Sequence, residues 1–332
     1  MKFIKILLII AFAGAVFYLI GPRPSFKAID YSTPDVSISL DSLDTYISEK
    51  EAQIPDIKPG NKSMIIWDND SLKNKTKYVL LYLHGFSASP MEGNPIHKEF
   101  AEHFGMNLYL PRLEDHGRSS ENSFENLTPD DYFESAQQAL EVAKLLGDSI
   151  VIMSCSTGGT LSILLEDTCP EIAGFIFYSP NIDLFDPTSD LIVQPWGKQI
   201  LRTIMKGDYN NVTYEEEPAK YWNTRYHING IVALKTLLHD YMTKENFRKF
   251  DKPFLLMYYY KDDEHQDDVV SVEDMIEFYK YAGTPVSQKK RIALTQAGTH
   301  VISSDFFSGE LDHLREETYK FATEIIGLQP KP

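Results

Sequence analysis

An open, doubly wound and mostly parallel α/β sheet with an inserted helical cap is the architecture this 332-residue sequence predicts, on three observations. Apolar runs of strand length alternate with amphipathic helical stretches, the order that produces parallel pairing with helices on both faces. Several of those runs, "VLLYL" and "IVIM" among them, are continuously apolar, as strands covered on both faces are. About seventy residues with helices of their own separate two late strand runs, too many for a simple crossover.

The chain starts with "MKFIKILLIIAFAGAVFYLIGPRP", in which Lys2 and Lys5 precede an apolar run from Ile6 to Ile20 that Gly21 and Pro22 break. The run is short against the roughly 20 residues that span a bilayer, yet as long as the longest signal-peptide cores. The A-x-A at Ala11-Phe12-Ala13 lies inside it, so cleavage there would leave "GAVFYLI" on the mature chain. Residues 1–21 therefore read as an uncleaved membrane anchor; cleavage would make the protein secreted, and a helix docked on the body is the bland alternative. Lys2, Lys5 and the free amine outweigh Arg23 and Lys27, which puts the body outside the cytoplasm, periplasmic or on the cell surface. Residues 22–38, with Pro22, Pro24 and Pro34, read as a linker, and 39–328 as the folded body.

Within the body, Asp41 is placed to cap a helix over "SLDTYISEKEAQ". "SMIIWD" and "KYVLLYLHGF" read as strands. "PIHKEFAEHFG" is helical, with Ile96, Phe100 and Phe104 at four-residue spacing, Pro95 at its start and Gly105 as its stop. "MNLYLP" is a strand, "DDYFESAQQALEVAKLLG" a long helix, "SIVIM" a buried strand and "TLSILLEDT" a helix. "AGFIFYSP", "KPFLLMYYY" and "KKRIALTQ" supply three more strands, with the cap over about 181–250 between the first two.

A net charge of −16 with no basic stripe excludes nucleic acid as a partner. Cys155 and Cys169 are too few for a disulfide framework or a four-ligand zinc site, and a helix between them would hold the sulfurs out of bonding reach. No metal or organic cofactor is expected: G-x-G-x-x-G after the first strand, a Walker motif and H-E-x-x-H are all absent, and "HQDD" reads as hydrated acidic loop.

"VIMSCSTGGT" carries the chemistry. Ligands of such sheets sit beyond the carboxyl ends of the strands, where Ser154-Cys155-Ser156-Thr157-Gly158 falls. A residue presented on a very tight strand-to-helix turn needs small neighbours two before and two after it. The usual signature is G-x-S-x-G; here Ser154 replaces the first glycine and Gly159 follows Gly158. Ser156 is the nucleophile candidate, at a helix start whose dipole favours developing negative charge. Cys155 reads as a small buried hydrophobe.

A serine hydroxyl needs a histidine to take its proton and a carboxylate to orient that histidine. His300 lies just after the last strand in "TQAGTHVISSD". His84 and His116 precede Ser156, against the Ser, acid, His order, and read as loop hydrogen bonding and packing. The acid comes from "KDDEHQDDVVSVEDM": Asp267, in a D-x-V-V pattern, is favoured, with Asp262 and Asp263 as alternatives and Asp268 adjacent. Gly85 in "LHGFSASP" lets backbone approach the substrate, so that the amides of Phe86 and Thr157 can hold a tetrahedral oxyanion.

The segments "LYLHGFSASP", "LYLPRLEDHGR", "SCSTGG", "QDDVVSV" and "GTHV", in that order, resemble the α/β-hydrolase fold, in particular the bacterial carboxylesterase and monoacylglycerol-lipase-like group. The resemblance covers roughly residues 40–328. It implies serine-hydrolase chemistry with Ser156 as nucleophile, Asp267 as acid and His300 as base, acting on a small acyl ester or lipid-like substrate. It also implies that residues near 181–250 form a lid. There Trp196, Ile200 and Ile204 recur at four-residue spacing, and Trp196 and Trp222 are candidate substrate contacts. A peptidase or thioesterase on the same fold, or a catalytically silent binding protein, are the competing functions.

Overall fold

The computed structural model describes residues 2–331. Helix α1 (Lys2–Leu19) leads into an extended stretch, a 3-10 turn at Leu40–Ser42 and helix α2 (Leu43–Ala52). Strands β1 (Met64–Ile66) and β2 (Thr76–Leu83), helix α3 (Ile96–Phe104), β3 (Asn107–Leu110), α4 (Pro129–Leu146), β4 (Gly147–Cys155), α5 (Thr157–Leu165) and β5 (Ile172–Tyr178) follow. Between β5 and the next long strand lie α6 (Gly197–Ile204), a hairpin of β6 (Tyr209–Asn211) and β7 (Arg225–His227), α7 (Asn229–Tyr241) and α8 (Lys244–Phe247). The chain then returns through β8 (Phe254–Asp262), β9 (His265–Gln266), α9 (Val272–Tyr281), β10 (Lys289–Leu294) and α10 (Leu311–Phe321).

The main sheet runs β1-β3-β2-β4-β5-β8-β10, with β9 paired to β8. Pairing is parallel from β3 through β10, and β1 is the antiparallel edge. Side chains alternate between two cores with the period of two that strands impose. Val79, Leu81 and Leu83 of β2, Ile150 and Ile152 of β4, and Phe175 and Phe177 of β5 pack with α4, α5 and α9. Leu80, Tyr82, Val151, Met153 and Cys155 pack on the other face with α3 and α10. Continuous apolarity in these strands thus follows from burial on both sides.

Local signals explain the helix ends. Thr128 and Asp131 form a reciprocal capping box at α4, and Gly105 takes the left-handed conformation (φ 61°) that ends α3. At α2 the expectation fails: Asp41 lies inside the 3-10 turn, Ser42 precedes the helix, and neither side chain caps it. The Leu43 amide, which a cap at Asp41 would have taken, instead donates to Leu40 O, so the turn itself satisfies it.

The stretch 22–38 lies on the body rather than free of it. Asp30 N donates to Asp130 Oδ1, Ile29 N donates to the Tyr241 hydroxyl, and Tyr31 packs edge-on against Phe133 of α4. Among the described residues no helix is long and apolar enough to cross a membrane, so a spanning anchor is not supported. Helix α1 nonetheless exposes Phe3, Ile4, Leu8, Ile9, Phe12 and Phe17.

Candidate active site

Strand β4 ends where the chain must turn at once into α5. Ser156 takes that turn with φ 54° and ψ −125°, a region that β-carbon-bearing residues rarely occupy. Its backbone is held on both sides: Ser156 N donates to Tyr178 O at 3.1 Å, and Ser156 O accepts from Gly159 N (2.8 Å) and Asn181 N (2.9 Å). A β-carbon on Gly158 would lie 2.0 Å from Leu83 O, and one on Gly159 would lie 2.5 Å from Pro180 Cβ. Both glycines are therefore required by close approach of neighbouring chain. Ser154 is fully buried and its hydroxyl has no partner, so its small size is used while its polarity is not.

The Asp267 carboxylate is fully buried, at the loop between β9 and α9. Its Oδ1 accepts from the amides of Val269 and Val270, each at 3.0 Å, and its Oδ2 faces His300 Nδ1 at 2.7 Å. The D-x-V-V pattern thus supplies the two amides that orient the Asp267 carboxylate. Burial pushes the Asp267 pKa up, but the charge and hydrogen bond of His300 and the two amides outweigh it and hold the carboxyl below its usual range. Burial likewise opposes the His300 imidazolium. The charge and hydrogen bond of Asp267, with Glu92 and Asp268, overcome that and raise the imidazole above its usual value.

His300 Nε2 is buried with no hydrogen-bond partner, and His300 and Ser156 line one cavity of about 460 Å³. The same cavity is lined by Phe86, Thr157, Leu184, Trp222, Tyr226 and Leu234. Neither the Phe86 nor the Thr157 amide donates a hydrogen bond to any described residue, so both are free for an oxygen above Ser156. Gly85 brings backbone against Ser156: a β-carbon there would sit 2.8 Å from Ser156 Cβ.

Other expectations sort by position. Asp262 pairs with His265 and Asp263 accepts from the Tyr260 hydroxyl, both at the surface, and Asp268 is exposed at the cavity wall. His84 Nε2 accepts from Leu113 N, so its Nδ1 carries the proton and donates to Gly85 O; burial lowers its pKa to about 4. His116 donates through Nδ1 to Glu114 O, with Nε2 facing the Tyr132 hydroxyl. Both histidines are spent on loop structure. Cys155 is buried on the α3 side, where burial raises its pKa far above the usual thiol range.

Trp222 lines the cavity, but Trp196 does not. Its ring stacks on Phe17 at 4.8 Å and its Nε1 donates to Phe17 O at 3.1 Å, because α1 folds back onto the start of α6. The apolar face of α6 is divided: Leu201 packs with Ile192, Ile228 and Val232, and Ile204 is exposed.

One lining residue went unmarked by the sequence. Glu92, on a 3-10 turn at Pro90–Gly93, is 2% exposed. Its Oε2 accepts from Gly85 N at 2.7 Å and from the Tyr82 hydroxyl at 3.1 Å, and burial raises its pKa to about 7. A single acidic residue in a polar turn has no periodicity to betray it; the sole hint is its nearness to His84-Gly85.

No family model matches the chain. A thermostable monoacylglycerol lipase of Bacillus sp. is 30% identical over 105 residues, which span 32% of this chain and 41% of that relative. The folded structure resembles a structure from work on LipS and LipT, two metagenome-derived lipolytic enzymes, with a TM-score of 0.63 at 17% identity over 80% of this chain and 98% of the other. It also resembles a soluble variant of the monoglyceride lipase of Saccharomyces cerevisiae, with a TM-score of 0.58 at 13% identity over 94% of this chain and all of the other. A Pyrococcus furiosus esterase aligns with a TM-score of 0.53 at 14% identity, over 92% of this chain and all of the other. The mostly parallel sheet, its flanking helices and these neighbours together show that the chain has the α/β-hydrolase fold that lipases and esterases share.

Proposed function

We propose that the chain is a serine hydrolase that cleaves carboxylic esters, an esterase or monoacylglycerol-lipase-like enzyme, through Ser156, His300 and Asp267. The observation that carries this reading is the Asp267–His300 hydrogen bond at the cavity where Ser156 stands on its strained turn. In the reaction, Ser156 Oγ attacks the ester carbonyl while His300 Nε2 takes its proton. The tetrahedral oxyanion is held by the Phe86 and Thr157 amides, and Asp267 stabilises the imidazolium. His300 then gives the proton to the leaving alcohol, and water repeats the sequence on the acyl-enzyme. A cavity of about 460 Å³ with Leu184, Trp222 and Leu234 in its wall suits a short or medium acyl chain. No step calls for a metal or organic cofactor.

The test is a fluorophosphonate probe with turnover of p-nitrophenyl butyrate. Wild type labels and turns over, and Ser156→Ala does neither; labelling that survives the substitution refutes the assignment. We further propose that residues 1–21 hold the protein at a membrane surface outside the cytoplasm, supported by the exposed apolar side chains of α1. Deleting 1–21 should release the protein from the membrane fraction, and unchanged partitioning refutes that part.

A further inference from the structure

We propose that the cavity over Ser156 selects esters carrying a positively charged ammonium group, held between the Glu92 carboxylate and the aromatic wall. The inference rests on the serine-hydrolase reading above and names its substrate class.

The first argument is charge. The side chains lining the cavity include two carboxylates, Glu92 and Asp268, and neither Lys nor Arg. Asp268 is exposed and Glu92 is buried beside the nucleophile, so negative potential runs from solvent to the reacting centre. Together with a chain charge of −16, this draws cations inward.

The second argument is what Glu92 does to a neutral substrate. A β-carbon on Gly85 would be 2.8 Å from both Glu92 Oε1 and Ser156 Cβ, so the carboxylate and the nucleophile crowd the same spot. Hydrolysis develops negative charge on the carbonyl oxygen that Ser156 attacks, and a carboxylate this near without a counter-charge raises the energy of that oxyanion. The groups around Glu92 are the Gly85 amide, the Tyr82 hydroxyl, the Cys155 thiol and His300. Of these only His300 can carry positive charge, and Asp267 already partners it. A substrate cation supplies the missing counter-charge and turns the penalty into binding energy. Burial raises the Glu92 carboxyl, as it does for a buried acid without a full counter-charge.

The third argument is the wall. Tyr214, Trp222 and Tyr226 line the same cavity, and aromatic faces attract a quaternary or primary ammonium most strongly where water is excluded. An acyl-chain site needs apolar surface, but it gains nothing from a carboxylate on its floor.

The experiment uses the full chain and two pairs of butyrate-sized esters: one with a trimethylammonium group on the alcohol side, one with it on the acyl side, each against a neutral isostere in which carbon replaces nitrogen. In at least one pair the charged ester should be preferred by about tenfold or more in kcat/KM. Glu92→Gln, which keeps the shape and an acceptor for Gly85, should bring that ratio close to one, whatever it does to the absolute rates. Tetramethylammonium should inhibit turnover of the neutral ester by wild type, where tert-butanol at equal concentration does not, which covers the case of a variant that fails to fold. A ratio of one or less in both pairs with wild type, or a preference unmoved in folded Glu92→Gln, overturns the inference and leaves the hydrolase reading standing. Failure of wild type on all four esters together with failure to label by fluorophosphonate overturns the hydrolase reading itself.

Discussion

Asp267→Asn exchanges one buried carboxylate oxygen for an amide nitrogen and should lower kcat by about 10⁴-fold with the fold intact. The size follows from the contacts. In the variant, the side-chain carbonyl keeps the amides of Val269 and Val270, now each at 3.0 Å from Oδ1, and the new NH₂ faces His300 Nδ1, 2.7 Å from Oδ2. A ring facing a donor must offer its lone pair at Nδ1, which leaves the proton on Nε2, and that nitrogen can no longer take the Ser156 proton. Flipping the Asn to restore the tautomer strands two buried amides at about 1–3 kcal/mol each, roughly one and a half to four decades in rate. Loss of the negative charge that stabilises the imidazolium supplies the remainder. The sign of the pH effect is also set. Asp267 raises the His300 pKa in the native protein, and the base works only when unprotonated, so wild-type activity falls as pH drops through a value above the ordinary imidazole range. Without the carboxylate, burial dominates and the acidic limb of the residual activity moves to lower pH. The assay is kcat/KM for p-nitrophenyl butyrate from pH 5 to 9, normalised to far-UV circular dichroism. Activity within tenfold of wild type, or an acidic limb that stays in place, refutes the assigned role.

Gly158→Ala puts a methyl group 2.0 Å from the Leu83 carbonyl oxygen, which as sheet backbone cannot yield; chemical denaturation should show a loss of about 3 kcal/mol or more, and probe labelling should fail. Trp222→Ala should raise KM several-fold, whereas Trp196→Ala, whose ring contacts only α1 and its surroundings rather than the cavity, should leave kcat and KM for a soluble ester unchanged; equal effects of the two would contradict the cavity wall drawn above. Iodoacetamide at pH 7 should neither inactivate the folded protein nor modify Cys155 or Cys169 by mass spectrometry, since both are buried and burial raises both thiols, Cys169 to about 11. Lys235→Met removes a 1% exposed ammonium that bridges Asp183 (2.5 Å) and Asp190 (2.7 Å); since both carboxylates can turn to water, the cost in urea unfolding should be about 1–3 kcal/mol, below that of breaking a fully buried pair.

The strands and helices were legible because each obeys a local rule that packing reinforces. "VLLYL" and "IVIM" are apolar at every position since both sheet faces are covered, and Ile96, Phe100 and Phe104 share a four-residue stripe because one side of α3 meets the sheet. Ser156, Asp267 and His300 were legible for a related reason: each follows a strand in a fixed order, and the carboxyl ends of parallel strands lie together. The small residues around Ser156 likewise betray a turn with no room for side chains, as the contact of Gly158 with Leu83 explains.

What the sequence by itself determined is therefore the element order, the parallel sheet and the three residues its strand ends bring to one place, since these depend on periodicity and on chain order alone. Tertiary structure decided everything that turns on which surfaces meet. Trp196 carries the same helical spacing whether it faces a substrate or Phe17, and the folding back of α1 chose Phe17. The prolines of 22–38 read as a free linker until Asp30 and Tyr31 dock on α4. Glu92, eight positions after His84, is an ordinary polar turn residue in sequence. Close approach of its turn to Gly85 buries it at the cavity that Ser156 lines, and burial is what raises its carboxyl.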